Sequence, residues 1–130
     1  MDTPTKALNV ARCAAGVSFA LAIGSGEEVA KWIKVGGVSV IFGRMPAAIE
    51  AAELLAAIIV GMIAYLRPAI WPTVLVLALL GVDVAYHAMT RGFDMTIVLD
   101  LAFAPFAAIS FAGVRRYAEL HADAARVNRA

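Results

Sequence analysis

Four apolar stretches, each long enough to cross a lipid bilayer, occupy most of this 130-residue chain. They cover residues 7–26, 46–66, 69–89 and 94–114, and about 20 apolar residues in a helix span the hydrocarbon core of a membrane. Because 62% of the residues are hydrophobic and only 16% are charged, a soluble domain of this length could not hide its apolar surface. We therefore expect an all-α integral membrane protein, an antiparallel four-helix bundle forming one transmembrane domain over residues 1–130.

The segments between and after these stretches predict two further features. Residues 27–45 contain Trp32 and the Gly36-Gly37 pair, and they are too short and too interrupted to span. We expect an interfacial or re-entrant loop there, with Trp32 at the level of the lipid headgroups, and the alternative is that the first helix continues toward Lys34. A polar helical tail is expected over residues 115–130.

Small residues recur every four positions along the first apolar stretch, at Gly16, Ala20 and Gly24. This spacing places them on one face of a helix, where the backbone of a neighbouring helix can approach closely. The face predicts association with other membrane subunits or with further copies of the chain.

The basic residues predict the orientation of the bundle in the membrane. The side with both termini carries seven of the eleven basic residues and the other side carries four, which are Lys31, Lys34, Arg44 and Arg91. Because lysine and arginine are enriched in cytoplasmic loops, we expect a protein of the cytoplasmic (inner) membrane with both termini in the cytoplasm. The net charge of +1 argues against a nucleic-acid partner bound through its phosphates.

Acidic residues accumulate at the opposite, outer end of the predicted bundle. Seven of the ten carboxylates fall there: Glu27, Glu28, Glu50, Glu53, Asp83, Asp94 and Asp100. Glu50 and Glu53 share one helical face, as do Asp83 and His87, since they lie three and four residues apart. Three helices therefore bring acidic groups into one layer, roughly 5–10 Å below the outer surface at the rise of an α-helix.

Three interpretations of this layer remain open. In the first, the carboxylates form ion pairs, with Asp83 or Asp100 bound to Arg91 or Arg44. In the second, the layer is a proton or cation relay.

In the third, the layer holds a divalent or copper ion, because carboxylates and imidazole from facing helices suit such a site. The metal ligands would be Glu53, Asp83, His87 and Asp100, with Glu50 as a further ligand. Met45, Met89 and Met95 lie at the same end and favour copper. The single cysteine, Cys13, excludes an intrachain disulfide and a multi-cysteine metal site.

The order of motifs resembles the DoxX-like group of small four-helix membrane proteins. Residues 10–12, Val-Ala-Arg, open a first helix rich in glycine and alanine, and residues 46–55, Pro-Ala-Ala-Ile-Glu-Ala-Ala-Glu-Leu-Leu, open the second. A short turn, Leu66-Arg67-Pro68, leads into the third helix. The resemblance implies an integral membrane protein linked to redox functions, in some cases a subunit of a quinone-coupled oxidoreductase, with Glu53 as the residue that carries over.

The leading functional hypothesis is an accessory membrane subunit or binding protein. It would bind a partner, or a lipid-like cofactor such as a quinone, through Glu53, Asp83, His87 and Asp100. Because four short helices leave little room for a catalytic cavity, we do not expect a stand-alone enzyme and assign no catalytic residue. The alternatives are an oligomeric transporter of small molecules coupled to protons or cations, and a membrane metal-binding protein.

Overall fold

The computed structural model describes residues 1–129, and every regular element in that range is an α-helix. The helices are α1 (Pro4–Ala11), α2 (Cys13–Gly36), α3 (Val40–Gly43), α4 (Met45–Leu66), α5 (Ile70–Arg91) and α6 (Met95–Arg129). With α1 and α2 counted together, four helical stretches in this range are long and apolar enough to cross a membrane. The prediction of an all-helical fold with four such helices is confirmed.

The connection between the first two apolar stretches is shorter than predicted. Helix α2 continues through Glu27, Glu28 and Trp32 to Gly36, in line with a continuation toward Lys34, so only the second half of residues 27–45 remains as a connection. No residue between Gly26 and Gly36 breaks a helix, and Gly37 ends α2 because its φ of +72° is a conformation that suits glycine. The remaining link, residues 38–44, contains the single-turn helix α3.

The predicted polar tail is a direct continuation of the last apolar helix. Helix α6 runs without interruption from Met95 to Arg129, which confirms a helical tail as far as Arg129. Ala130 lies outside the described residues. The charged end of α6 is exposed, as expected for a segment that leaves the bundle.

A side chain inserted into the backbone hydrogen-bond ladder separates α1 from α2. The Ser110 hydroxyl accepts a hydrogen bond of 2.6 Å from the Ala14 N–H and lies 3.3 Å from the Val10 carbonyl, to which it donates. In a regular helix, the Ala14 N–H would bond to the Val10 carbonyl directly. The hydroxyl takes the place of that bond, which explains the break at Arg12 and ties α6 to the start of the chain.

From Arg12, which directly precedes α2, and along α2 itself, residue numbers rise while those of the contacted residues in α4 fall. The Arg12 Nε donates to the Tyr65 carbonyl at 3.1 Å, and the Ser18 hydroxyl donates to the Ala57 carbonyl at 2.7 Å. The core between the long helices is built mainly from small side chains, including Ala14, Ala15, Ala22, Ala57, Ala64 and Ala107. Small residues allow the helix backbones to approach closely, which is how helices pack in membranes.

Many large apolar side chains lie on the surface of the long helices. Large side chains such as Ile23, Leu55 and Val82 are exposed on the long helices, with exposed fractions of 67%, 62% and 61%. Four carboxyl side chains, by contrast, are buried among those helices. In water such a surface would expose a large apolar area, whereas a lipid bilayer would cover it.

Gly113 gives a test of the α1–α6 packing. A Cβ at this position would lie 2.3 Å from the Ala11 backbone nitrogen, whereas a Cβ at Gly81 in α5 would meet nothing within 4 Å. We expect Gly113→Ala to destabilise the protein by about 1–3 kcal/mol, since the backbone must shift. Gly81→Ala should be neutral or stabilise by about 0.5–1 kcal/mol, because alanine favours a helix.

The measurement is thermal unfolding of both variants in the same detergent. A Gly113→Ala variant as stable as Gly81→Ala would contradict the close approach of α1 and α6.

Candidate functional site

Five titratable side chains from three helices are buried at one end of the bundle. Helix α4 supplies Glu50 and Glu53, α5 supplies Asp83 and His87, and α6 supplies Asp100. Their exposed fractions lie between 2% for Glu50 and 8% for Glu53. The structure thus brings together the residues that the sequence predicted as one layer. We call these five residues the acidic cluster.

A cavity of about 190 Å³ opens into the acidic cluster. Glu50, Asp83, His87 and Asp100 line it, together with residues of α2 and α6. Glu53 is buried in the same cluster but does not line the cavity. The volume is large enough for a small polar group and a few carbon atoms, or for several waters.

Asp83 makes the one close contact between two side chains of the acidic cluster that is resolved among residues 1–129. Its Oδ1 lies 3.3 Å from the Nε2 of His87, one helical turn further along α5. Asp83, His87 and Asp100 line the same cavity. Because several buried carboxyl groups share one layer, ionising all of them is costly, and the arrangement suits proton sharing.

Several polar atoms of the cluster have no hydrogen-bond partner among residues 1–129. They are Glu50 Oε1, Glu53 Oε1, Asp100 Oδ2 and His87 Nδ1. An unpartnered polar atom in a buried position costs about 1–3 kcal/mol, more when the group is charged. Three of these side chains, Glu50, His87 and Asp100, also line the cavity. The four atoms themselves are inaccessible to water, so they lie within the cluster and not on the surface of the cavity.

The arginine of α5 is bound to a different acid from those considered in the sequence. Arg91 Nη2 lies 2.8 Å from Glu28 Oε2, and Lys31 Nζ lies 3.3 Å from Glu28 Oε1. Within the described part of the chain, no lysine or arginine forms an ion pair with Asp83 or Asp100. The ion-pair interpretation therefore holds for Glu28 at the rim, and not for the two aspartates.

Glu28 is a residue of the site that the sequence prediction left outside the buried layer. It lines the cavity with Ser25, one turn earlier in α2. The sequence does contain a signal for this position. Leu21, Ser25 and Glu28 lie four and three residues apart, so in a continuous helix they share the face of α2 that points into the bundle. Asp94 has a separate role, since its Oδ1 accepts from the Ile97 N–H at 3.3 Å at the start of α6.

The described residues contain no group of three or more His, Cys, Asp or Glu side chains arranged to hold a metal ion. The three methionines considered for copper are exposed, with fractions of 74% for Met45, 87% for Met89 and 69% for Met95. The geometry therefore adds no support to the predicted metal site.

The chain matches no family model, no curated protein and no solved structure. Membership of the DoxX-like group therefore stays a prediction from its motifs, and the function must be argued from the acidic cluster itself.

Proposed function

We propose that this chain is an integral membrane protein in which the four long helices form an antiparallel bundle. The contacts of Arg12 with Tyr65 and of Ser18 with Ala57 support an antiparallel arrangement of α2 and α4, because residue numbers rise on one side and fall on the other. The apolar exterior around buried carboxyl groups supports a lipid surrounding, because ionisable residues in membrane proteins face the bundle interior. The short α4–α5 connection, residues 67–69, suits neighbouring antiparallel helices.

We place both termini in the cytoplasm and the acidic cluster near the outer surface of the cytoplasmic membrane. The support is the distribution of basic residues, seven on the side of the termini against four on the other. The cavity would then open toward the outer leaflet.

Reporter fusions test this orientation. Green fluorescent protein fused after Ala130 should fluoresce, and alkaline phosphatase at the same site should be inactive. Alkaline phosphatase fused after Gly43, in the link before α4, should be active. The reverse pattern of activities would place the acidic cluster on the cytoplasmic side and contradict the proposed orientation.

The function that the geometry supports best is binding of a small, positively charged ligand within the membrane. The observation that carries this proposal is the cavity, which the buried carboxyl groups of Glu50, Asp83 and Asp100 line without an ion pair to any lysine or arginine of the described chain. A buried carboxylate needs a counter-charge or a proton, since removing it from water costs several kcal/mol. A cationic ligand supplies that charge.

This proposal keeps the binding-protein part of the hypothesis drawn from the sequence. The proposed assembly with further subunits or copies rests on the small-residue face of α2. A Cβ added at Gly16 or Gly24 would meet nothing within 4 Å, so the chain itself leaves room beside both glycines. The quinone suggested by the DoxX-like resemblance gains no support from the cavity, because the buried carboxyl groups that line it call for a positive charge.

Methylammonium binding to the protein in lipid nanodiscs tests the proposed function. Asp83→Asn should weaken binding by about thirtyfold or more, because it removes the central charge of a desolvated site. Glu119→Gln, on the exposed tail, should leave the dissociation constant unchanged. Calorimetric titration measures both.

A wild-type protein that does not bind the cation would contradict the proposal. Equal effects of the two substitutions would also contradict it, since the tail carboxyl lies outside the cavity.

A further inference from the structure

The geometry points to Glu28 as a positioning residue for the cation site: it holds Arg91 at the rim of the cavity, so that this arginine does not enter the acidic cluster as an internal counter-charge. The inference rests on the proposed function, because it concerns which cation the cavity takes. It adds the residue that keeps the cavity free for a cation from outside the chain.

Arg91 belongs to the same helical face as two members of the acidic cluster. Asp83, His87 and Arg91 follow one another at intervals of four residues, which places Arg91 one turn beyond His87 at the end of α5. Side chains on an α-helix lean toward its N-terminus, so the helix directs the Arg91 side chain back toward His87 and the cavity. Arg91 is also the one lysine or arginine in α5, and so the cation that this helix brings nearest to the cluster.

Glu28 binds the guanidinium of Arg91 from the neighbouring helix α2. The Arg91 Nη2 donates to the Glu28 Oε2 at 2.8 Å, and the Glu28 side chain lines the cavity. In this pair the Arg91 side chain is 43% exposed and that of Glu28 is 19% exposed. A partly hydrated pair loses less hydration than a guanidinium buried among carboxyl groups, which explains why Glu28 can hold Arg91 at the rim.

Loss of the Glu28 charge would change the preferred partner of Arg91. The carboxyl groups of Glu50, Asp83 and Asp100 line the cavity without an ion pair to a lysine or arginine of the described chain, and each ionised one needs a counter-charge. A guanidinium tethered to α5 has a high effective concentration at these acids compared with a dissolved ligand. Freed Arg91 would therefore compete with an external cation for the cavity.

Methylammonium binding in lipid nanodiscs tests this competition with the wild type, Glu28→Gln, Arg91→Gln and the double variant. Glu28→Gln should weaken binding about tenfold or more, because freed Arg91 enters the cluster. Arg91→Gln alone should change the dissociation constant less than about threefold, whereas in the Glu28→Gln background it should restore nearly wild-type affinity. Calorimetric titration measures all four constants.

Lys31 provides the matched control, because its Nζ also binds Glu28, at 3.3 Å, from a position further along α2 and away from the cluster. Lys31→Gln added to Glu28→Gln should leave the affinity low. Equal effects of Arg91→Gln with and without Glu28 would show that both charges act only through their long-range field. That result would overturn the inference while leaving cation binding intact.

Labelling of arginine side chains with phenylglyoxal, measured by mass spectrometry, follows Arg91 without a ligand. In Glu28→Gln it should be labelled about threefold or more slowly than in the wild type, because its guanidinium moves from a partly exposed position into the buried cluster. Arg67, exposed in the α4–α5 connection, should be labelled at the same rate in both proteins.

Faster labelling of Arg91 would show that the arginine is released into water, and an unchanged rate would show that another acid at the rim, such as Glu27, binds it instead. Either result would overturn the inference. Wild-type protein that binds methylammonium, with the same affinity in Glu28→Gln, would overturn it alone. Wild-type protein that binds no methylammonium would overturn the proposed function and this inference together.

Discussion

The burial of carboxyl groups without a neighbouring lysine or arginine is the constraint on which this structure depends. Moving one ionised carboxylate out of water costs several kcal/mol even after the surroundings relax, and Glu50, Asp83 and Asp100 lie within one end of the bundle. Arg91 does not offset this cost, because it is bound to Glu28 at the rim. The remaining means are shared protons within the cluster, water, or a positively charged ligand. The cavity beside the cluster makes the last of these structurally feasible.

The rest of the fold keeps these side chains together. Close helix packing comes from alanines and glycines in the interfaces, and from hydroxyls that bond to backbone atoms of neighbouring helices. Ser110 illustrates both effects, since it replaces one bond of the α1–α2 ladder and fixes α6 against the first turns of the chain. Where lipid surrounds the helices, packing and such polar bonds stabilise the bundle in place of the hydrophobic effect.

The sequence was sufficient to predict the helices and the membership of the acidic cluster. Spacings of three and four residues place Glu50 with Glu53 and Asp83 with His87, and these local relations follow from helix geometry alone. The end of α2 was not predicted, because a change from apolar to charged residues marks a membrane boundary and not a helix end. The partner of Arg91 could not be predicted either. Its bond to Glu28 joins residues 63 positions apart, and several acids lay at the same predicted depth.

Cysteine cross-linking in native membranes tests most directly whether the acidic side chains converge. In a Cys13→Ser background, the pair Asp83→Cys with Asp100→Cys should form a disulfide on mild oxidation, since both side chains are buried and line the same cavity. The pair Asp83→Cys with Glu119→Cys should not, because Glu119 lies on the exposed tail. Cross-linking of the first pair alone is the result we predict. No cross-link in the first pair, in protein that is folded and inserted, would contradict the convergence of the three helices at this cluster.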